Sequence, residues 1–434
     1  MKKTALTGLL FCFLAGWSSG QELMTLDQAV AIGLTNNYGI VISRNSLQEA
    51  KNNATAGNAG MLPAVGVNAG YTKGLSDVRI KVLTGTELDN PAAKMDLMTA
   101  GVGMTWKVFD GLKMFITFDK LKKLEEISDL SAKITIENTI ARIIAGYYEI
   151  VKQGKVEQFL TEQIEISKLR LDLSKTRFEA GAGSEMEYLK ARVELNADIV
   201  RLSNQKTLFE NSKTTLNDLL AREVTSTFLV PDTIPVAEVL NYDSLRNALK
   251  SANRNLLQAI RKREAGELDV KSARASQWPT LDYFAGYNYY HSDTEANFIQ
   301  YNRNFGPSMG LSLNMKLFDG QNLKRQHDNA VLNLQSYDLA VKQMESRLEA
   351  YLGKVFNEYR DQLEIVGFES ENLLLAVKNM ELAKASYAIG SISSIQLKEV
   401  QEDLLSARTR LVTAQLKVKL SETELLLLSG KLLN

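Results

Sequence analysis

One phrase occurs twice in this chain. Residues 106–111 read W-K-V-F-D-G and residues 315–320 read M-K-L-F-D-G, 209 positions apart in a chain of 434. Each copy closes a stretch of alternating apolar and polar residues and opens a long stretch of helical periodicity. The chain is therefore read as two copies of one unit, each switching from a period of two to a period near 3.5. A unit with two strands cannot close a sheet alone, so its strands need partners from elsewhere.

The six prolines, Pro63, Pro91, Pro231, Pro235, Pro279 and Pro307, mark where helices are not expected, because an internal proline costs about 3 kcal/mol. In the first copy the spacing predicts a helix over 25–61 with Thr25 as N-cap. A strand follows, in which Val65, Val67, Ala69 and Tyr71 alternate with small or polar residues. A polar loop is expected over 76–96, with Asp89-Asn90-Pro91 as a turn signal, then a second strand over 98–108. Asp110 is expected to cap a helix running from Gly111 to about position 180. The second copy repeats the order: helix 243–277, strand 281–289, loop 292–306, and a strand 308–317 carried by Met309, Leu311, Leu313, Met315 and Leu317. Asp319 is expected to cap the helix that follows, with Phe318 and Gly320 matching Phe109 and Gly111. The expected division is 1–20 as a secretory signal, 21–222 and 242–434 as the repeats, and 223–241 as the joint between them. The β-hairpins fall at about 64–109 and 280–318.

The signal reading rests on Lys2 and Lys3, an apolar run over 6–15, and small residues at Ser18-Ser19-Gly20. Cys12, the one cysteine, lies inside it, so no disulfide is expected in the mature chain.

Each long helix is interrupted at a matched place. R-F-E-A-G-A-G-S over 177–184 aligns with S-Y-A-I-G-S-I-S over 386–393. Glycine just past a helix end followed by serine at an N-cap is helix–turn–helix chemistry, so Gly181, Gly183 and Gly390 are the expected tip turns. The rod before each tip spans roughly 105 Å at 1.5 Å per residue. After the second tip, Leu397, Val400, Leu404, Ala407, Leu411, Ala414, Val418, Ser421, Leu425 and Leu428 follow the 3,4 spacing of a coiled-coil seam.

The strands present one apolar face and one small or polar face, and each reaches the ~9–11 residues that cross a bilayer. Trp106, Tyr283, Tyr287, Tyr289 and Tyr290 suit interfacial belts. Four strands in lipid leave unpaired edges, so copies must associate; two chains would give eight strands and three would give twelve. The alternative on pattern alone is a soluble four-stranded sheet under helices.

These residues resemble the TolC family of outer-membrane efflux proteins, the outer membrane factors. The resemblance spans essentially the whole mature chain and rests on the duplication, the Leu62-Pro63 and Trp278-Pro279 strand entries, the two F-D-G exits, and the tip sequences R-F-E-A-G-A-G-S-E-M-E-Y-L-K and S-Y-A-I-G-S-I-S-S-I-Q-L-K. It implies a mainly α chain with a transmembrane β-barrel: a homotrimer with twelve strands, a coiled-coil α-barrel in the periplasm of a Gram-negative cell, and an equatorial region near 223–241. It also implies docking to a periplasmic adaptor and an inner-membrane transporter. The family closes its second tip with a tyrosine and charged residues. Tyr387 matches the tyrosine, but Ile392 stands where some members have arginine, and Gln396 and Glu399 where some have aspartates. Glu187 is the first-copy equivalent of Gln396. Glu187 and Glu399 are candidates for carboxylate rings in an oligomer, or are solvated helix-face charges.

No catalytic constellation appears. His291 and His327 are the two histidines and lie far apart, so a histidine metal pair or a Ser-His-Asp site is not expected. Neither is an enzyme activity or a cofactor. Lys+Arg and Asp+Glu both number 51, which gives no basic field for nucleic acid. No nucleotide-binding glycine loop occurs, so any transport energy comes from a partner. The competing readings are a periplasmic coiled-coil adaptor without a pore and a soluble secreted enzyme.

Overall fold

The computed structural model describes residues 23–236 and 239–432; the signal segment with Cys12 lies outside the described residues. The first copy runs α1 (Leu26–Asn36), α2 (Tyr38–Asn53), β1 (Ala64–Lys81), β2 (Glu87–Phe109), α3 (Lys113–Glu179) and α4 (Glu185–Leu219). The second runs α5 (Tyr242–Ala252), α6 (Arg254–Ala275), β3 (Thr280–Thr294), β4 (Tyr301–Asn314), α7 (Asn322–Ala388) and α8 (Ser394–Leu428). The protein is mainly helical with one antiparallel sheet in the order β1-β2-β3-β4. Helices α3 and α7 have 67 residues each, about 100 Å at the α-helical rise. Away from the sheet, α3 pairs with α4 and α7 with α8; nearer the sheet, α2 and α6 take those places.

The helix expected over 25–61 is two helices broken at Asn37. Thr25 caps α1 in a capping box with Gln28. The Asn37 side chain then caps α2 by accepting from the Ile40 amide at 3.2 Å, and its own amide group donates to the Leu219 carbonyl at the end of α4 at 2.8 Å. The second copy does the same, with Asn253 accepting from the Leu256 amide at 3.0 Å and donating to the Leu428 carbonyl at 2.9 Å. Two columns, α2 on α4 and α6 on α8, are thus spliced end to end through an asparagine.

Segment 76–96 is not a loop. Strands β1 and β2 run through it and turn at Thr84-Gly85, with Gly85 at φ +91°. Asp89-Asn90-Pro91 lies inside β2, next to a register shift between Ser76 and Val78 where Ala92 adopts φ +58°. A bulge is where a strand tolerates proline. Cross-strand pairs Arg79–Asp89 at 2.7 Å and Lys81–Glu87 at 2.5 Å line one face of this ladder, while Val78, Ile80 and Leu88 lie on the other. The expected loop 292–306 shrinks likewise, because β3 continues to Thr294 and β4 begins at Tyr301. Strand β4 ends at Asn314 rather than near 317, since β3 begins opposite it at Thr280. Met315 and Leu317 continue the alternation without a partner strand.

Helix α3 starts two residues later than expected, and so does α7. Gly111 and Leu112 both lie in the left-handed region at φ +71° and +69°, as do Gly320 and Gln321 at +68° and +64°. Asp110 still accepts from the Met114 amide at 3.1 Å and Asp319 from the Leu323 amide at 3.0 Å. Each aspartate satisfies a first-turn donor from outside the N-cap position. A side chain at Gly111 would place its Cβ 2.5 Å from the Ala275 carbonyl, so this turn needs glycine for space as well as for φ. Phe109 pairs with Leu281 at the strand end, whereas Phe318 is exposed.

Two apolar cores sit at the splices. One gathers Met24, Ile143, Tyr147, Leu216, Phe228 and Leu416; the other gathers Leu249, Leu352, Val355, Tyr359, Val418 and Leu425. In segment 223–241, Phe228 and Ile234 are buried in the first core, and Leu229 forms a parallel bridge with Leu23.

Candidate functional site

The far ends of the rods carry a connected set of polar side chains between the two hairpins. Gly181 at φ +69° and Gly390 at φ +81° end α3 and α7. Gly183 is not left-handed, but its Cβ would lie 2.9 Å from the Arg177 Cβ, so it is glycine for close approach. Ser184 caps α4 by accepting from the Met186 amide at 3.2 Å. Ser393 and Gln396 form a reciprocal capping box on α8, at 3.2 and 2.9 Å. Between the two tips lies a cleft of about 600 Å³ bordered by Arg177, Met186, Glu187, Lys190, Ile392 and Ile395.

Tyr387 is 1% exposed and sits inside the protomer, in a small core with Met380, Ala383, Leu397 and Leu404. The Arg177 guanidinium lies 4.7 Å from its ring centroid and donates to its carbonyl at 2.5 Å. Burial pushes the Tyr387 phenol up; neighbouring Ser394 acts against that shift, and the Glu187 charge adds to it. The hydroxyl is buried without a well-formed hydrogen bond. Glu187 is half-buried at the cleft, while Gln396 and Glu399 are exposed on α8, with the Gln396 amide oxygen engaged in its cap. The structure therefore brings Tyr387 and Glu187 to one place and leaves Gln396 and Glu399 on an outer face.

Ties between the two hairpins come from residues that apolar pattern reading passes over. Asp198 on α4 is 1% exposed. It accepts from Ser167 at 2.6 Å, from Gln163 at 3.2 Å and from Lys398 of α8 at 3.1 Å. Gln401 donates to Ser167 at 2.9 Å and to the Gln163 carbonyl at 3.0 Å. Glu402 pairs with Lys398 at 2.7 Å and Arg201 at 2.8 Å. Burial works against the charged form of Glu402, but Lys398 and Arg201 together hold its carboxyl below the ordinary value. Arg170, fully buried, pairs with Glu194 and approaches the Ser394 carbonyl. The available signal was polar rather than apolar: Gln163, Ser167, Arg170 and Ser174 follow 4,3,4 spacing on α3, a buried polar seam.

The sheet at the opposite end offers one apolar face. Val67, Tyr71, Met309, Leu311 and Leu313 are exposed on it. The other face carries small and polar residues, including Asn288 bonded to Ser308 at 3.2 Å. Among the described residues, no helix is long and apolar enough to cross a membrane, and no group of three His, Cys, Asp or Glu side chains is placed to hold a metal ion.

A meander with one apolar exposed face, carried on helical hairpins of this length, is the fold of an outer-membrane channel subunit. The outer membrane efflux protein family matches residues 34–222 and 245–431, and the chain belongs to that family of the bacterial outer membrane. It is 22% identical over 386 residues to the outer membrane protein TolC of Vibrio cholerae, covering 86% of this chain and 82% of that one. Its fold is similar to that of the outer membrane protein VceC of Vibrio cholerae (TM-score 0.77, 15% identity, 93% and 96% of the two chains). It is also similar to the CmeC outer membrane channel of Campylobacter jejuni (TM-score 0.77, 15% identity, 94% and 86%).

Proposed function

We propose that this protein is the outer-membrane duct of a tripartite efflux or type I secretion system. Three copies complete a twelve-stranded barrel, and their rods form a periplasmic tube that meets an adaptor and an inner-membrane transporter. The observation that carries the reading is the sheet: four strands with open edges and one apolar face, continuous through the two F-D-G turns with rods of about 100 Å. Such a sheet satisfies its backbone in lipid only by closing with other copies. The duct is passive, with 21–222 and 242–434 as fused copies joined through 223–241.

Membrane fractionation with a gel assay for a heat-modifiable oligomer tests this, followed by conductance in planar bilayers. An outer-membrane oligomer that conducts is expected; a soluble monomer would sink the reading and favour a pore-free periplasmic adaptor. The tips at 181–188 and 387–399 are the proposed constriction, with Tyr387, Glu187, Gln396 and Glu399 as candidates. Replacing Tyr387 and Gln396 together by alanine is expected to raise single-channel conductance, and unchanged conductance rejects them as a gate.

A further inference from the structure

Successive side chains of a strand point to opposite faces, so the pairing register sorts residues 64–76, 93–107, 280–294 and 302–314 into two sets. One set holds Val67, Tyr71, Met309 and Leu311 and is the apolar face. The other is Gly, Asn, Ser, Thr and Ala on most rungs, with Met95, Leu97, Phe284 and Tyr290 among them. That second face carries two charged residues over these rungs, Lys107 and Asp282, and the register sets them directly opposite each other. They sit at the foot of the sheet, beside the Phe109-Asp110-Gly111 turn that leads into α3.

The wall around this pair is low as well as neutral. A Cβ on Gly310 would collide with the Phe284 ring, and one on Gly101 would lie 2.5 Å from the Asn288 Oδ1 and 3.2 Å from the Asn68 Oδ1. Glycine thus lets the larger side chains lie down on the sheet. Lys107 is exposed and Asp282 half-buried. Neither side chain makes an ion pair or a hydrogen bond within the protomer, although opposed residues lie close enough to interact. Both charges are left to act on what passes in front of them.

We infer that Lys107 and Asp282 form a charge-compensated collar at the foot of the barrel, the ring at which the barrel wall acts on the charge of a solute, and that the rungs above it admit hydrophilic solutes of either sign. This rests on the duct reading, which turns the small, polar face toward the lumen and repeats the pair in three copies. A ring of one sign would gather counter-ions and turn away solutes of its own sign. Three ammonium groups alternating with three carboxylates instead give a field that largely cancels on the axis and is felt near the wall. Above the collar the wall offers amides and hydroxyls, which hydrogen-bond without selecting a sign. The collar lies about 100 Å from the tips, at the other end of the rods, so its effect is separate from any charge held there.

A thiol at Thr105 reads the local field. Thr105 is exposed, two residues from Lys107 on β2 and diagonal to Asp282 across the β2–β3 pairing, about 7 Å from each. The oligomer of the full chain carrying Thr105→Cys is treated with a cationic and with an anionic methanethiosulfonate, and both rates are followed by mass spectrometry. In about 0.1 M salt, Asp282→Asn is expected to lower the cation-to-anion rate ratio about threefold, the size a unit charge at that distance gives in water. Lys107→Gln is expected to raise it by a similar factor, and the double variant to return it near its starting value. A distorted wall would change both rates together and leave the ratio alone. At 1 M salt, where the Debye length is about 3 Å, the shifts should shrink toward nothing. Should a variant fail to assemble, Asp282→Ser and Lys107→Met remove the same charges. A ratio that neither substitution moves, that both move in one direction, or that stays shifted at 1 M salt overturns the collar, while a conducting oligomer keeps the duct reading. A soluble monomer overturns both.

Discussion

The seam that α3 makes with α8 inside the chain and the flank that α7 and α4 leave open are built from the same repeat, yet their chemistry is opposite. The inner seam buries Asp198, Gln163, Ser167 and Gln401 in a hydrogen-bonded network and ties in Lys398, Glu402 and Arg201. On the open flank the counterparts of Lys398 and Glu402 are Leu189 and Val193, both exposed; the counterpart of Asp198 is Ala407, an apolar residue buried on α8. A buried charged network demands exact partners and so specifies one pairing. It forms reliably where both partners are on one chain. An apolar flank is indifferent to partner geometry and gains most when a second copy covers it.

The largest expected effect is at Asp198. Asp198→Ala strands a partly buried lysine and two buried donors, Gln163 and Ser167, and is expected to lower the stability of the α3–α4–α8 bundle by about 3 kcal/mol, read from amide hydrogen exchange. In the unassembled protomer, where Val193 is exposed, Val193→Ala on the open flank is expected to change the same amides by less than about 0.5 kcal/mol, as surface substitutions do. Equal losses would break the distinction between the two seams.

Next come the turns. Gly181→Ala and Gly390→Ala meet open space, apart from an Arg177 atom 3.8 Å from the second, so both test φ alone. Each is expected to lose roughly 1–2 kcal/mol in protection of the adjoining helix ends, and clearly unequal losses would show that the tips are not equivalent turns. Caps follow: Ser393→Ala, which dismantles a reciprocal box, is expected to cost about 1 kcal/mol in the first turn of α8. Ser184→Ala, with one bond to lose, is expected to cost less.

The smallest effect is a pH dependence. Glu402 has a folded pKa below its unfolded value of about 4.3. Its contribution is fully present above that value and is lost as pH falls through the lower folded pKa. Exchange at the inner seam should therefore hold steady from neutral pH to about 5, allowing for intrinsic rates, and accelerate below about 4. Glu402→Gln should remove that acceleration; if the acid response persists in this variant, Glu402 is not its source.

Elements with a strong period were legible in the sequence. The tip glycines, the paired F-D-G exits and the seam from Leu397 to Leu428 all rest on rules of spacing or φ that one residue type satisfies best. The breaks at Asn37 and Asn253 were not legible, because an asparagine inside a helical run is ordinary until a carbonyl from 182 or 175 residues away meets its amide. The outer ladder of β1 and β2 was missed because Asp89-Asn90-Pro91 and Gly85 read as turn signals, which outweighed the alternation of Val78, Ile80 and Val82 with Arg79 and Lys81. At the tips, Tyr387 was singled out through the family resemblance, but Arg177 and Asp198 were not, since Tyr387 and Lys398, which they meet, lie on the other hairpin.

The splices carry a consequence for how such a molecule can change over evolutionary time. In a continuous helix, inserting one residue rotates everything beyond it by about 100°, which would scramble every contact down a 67-residue rod. A column cut at its waist has no such memory of phase. Between the two copies that freedom shows in local structure, not in residue count: Asn37 to Ala64 and Asn253 to Thr280 span the same 27 positions, but α2 gives way to turns after Asn53 where α6 stays helical to Ala275. The half near the sheet is free to vary with the envelope it must fit, and the half bearing the tips keeps its bearing.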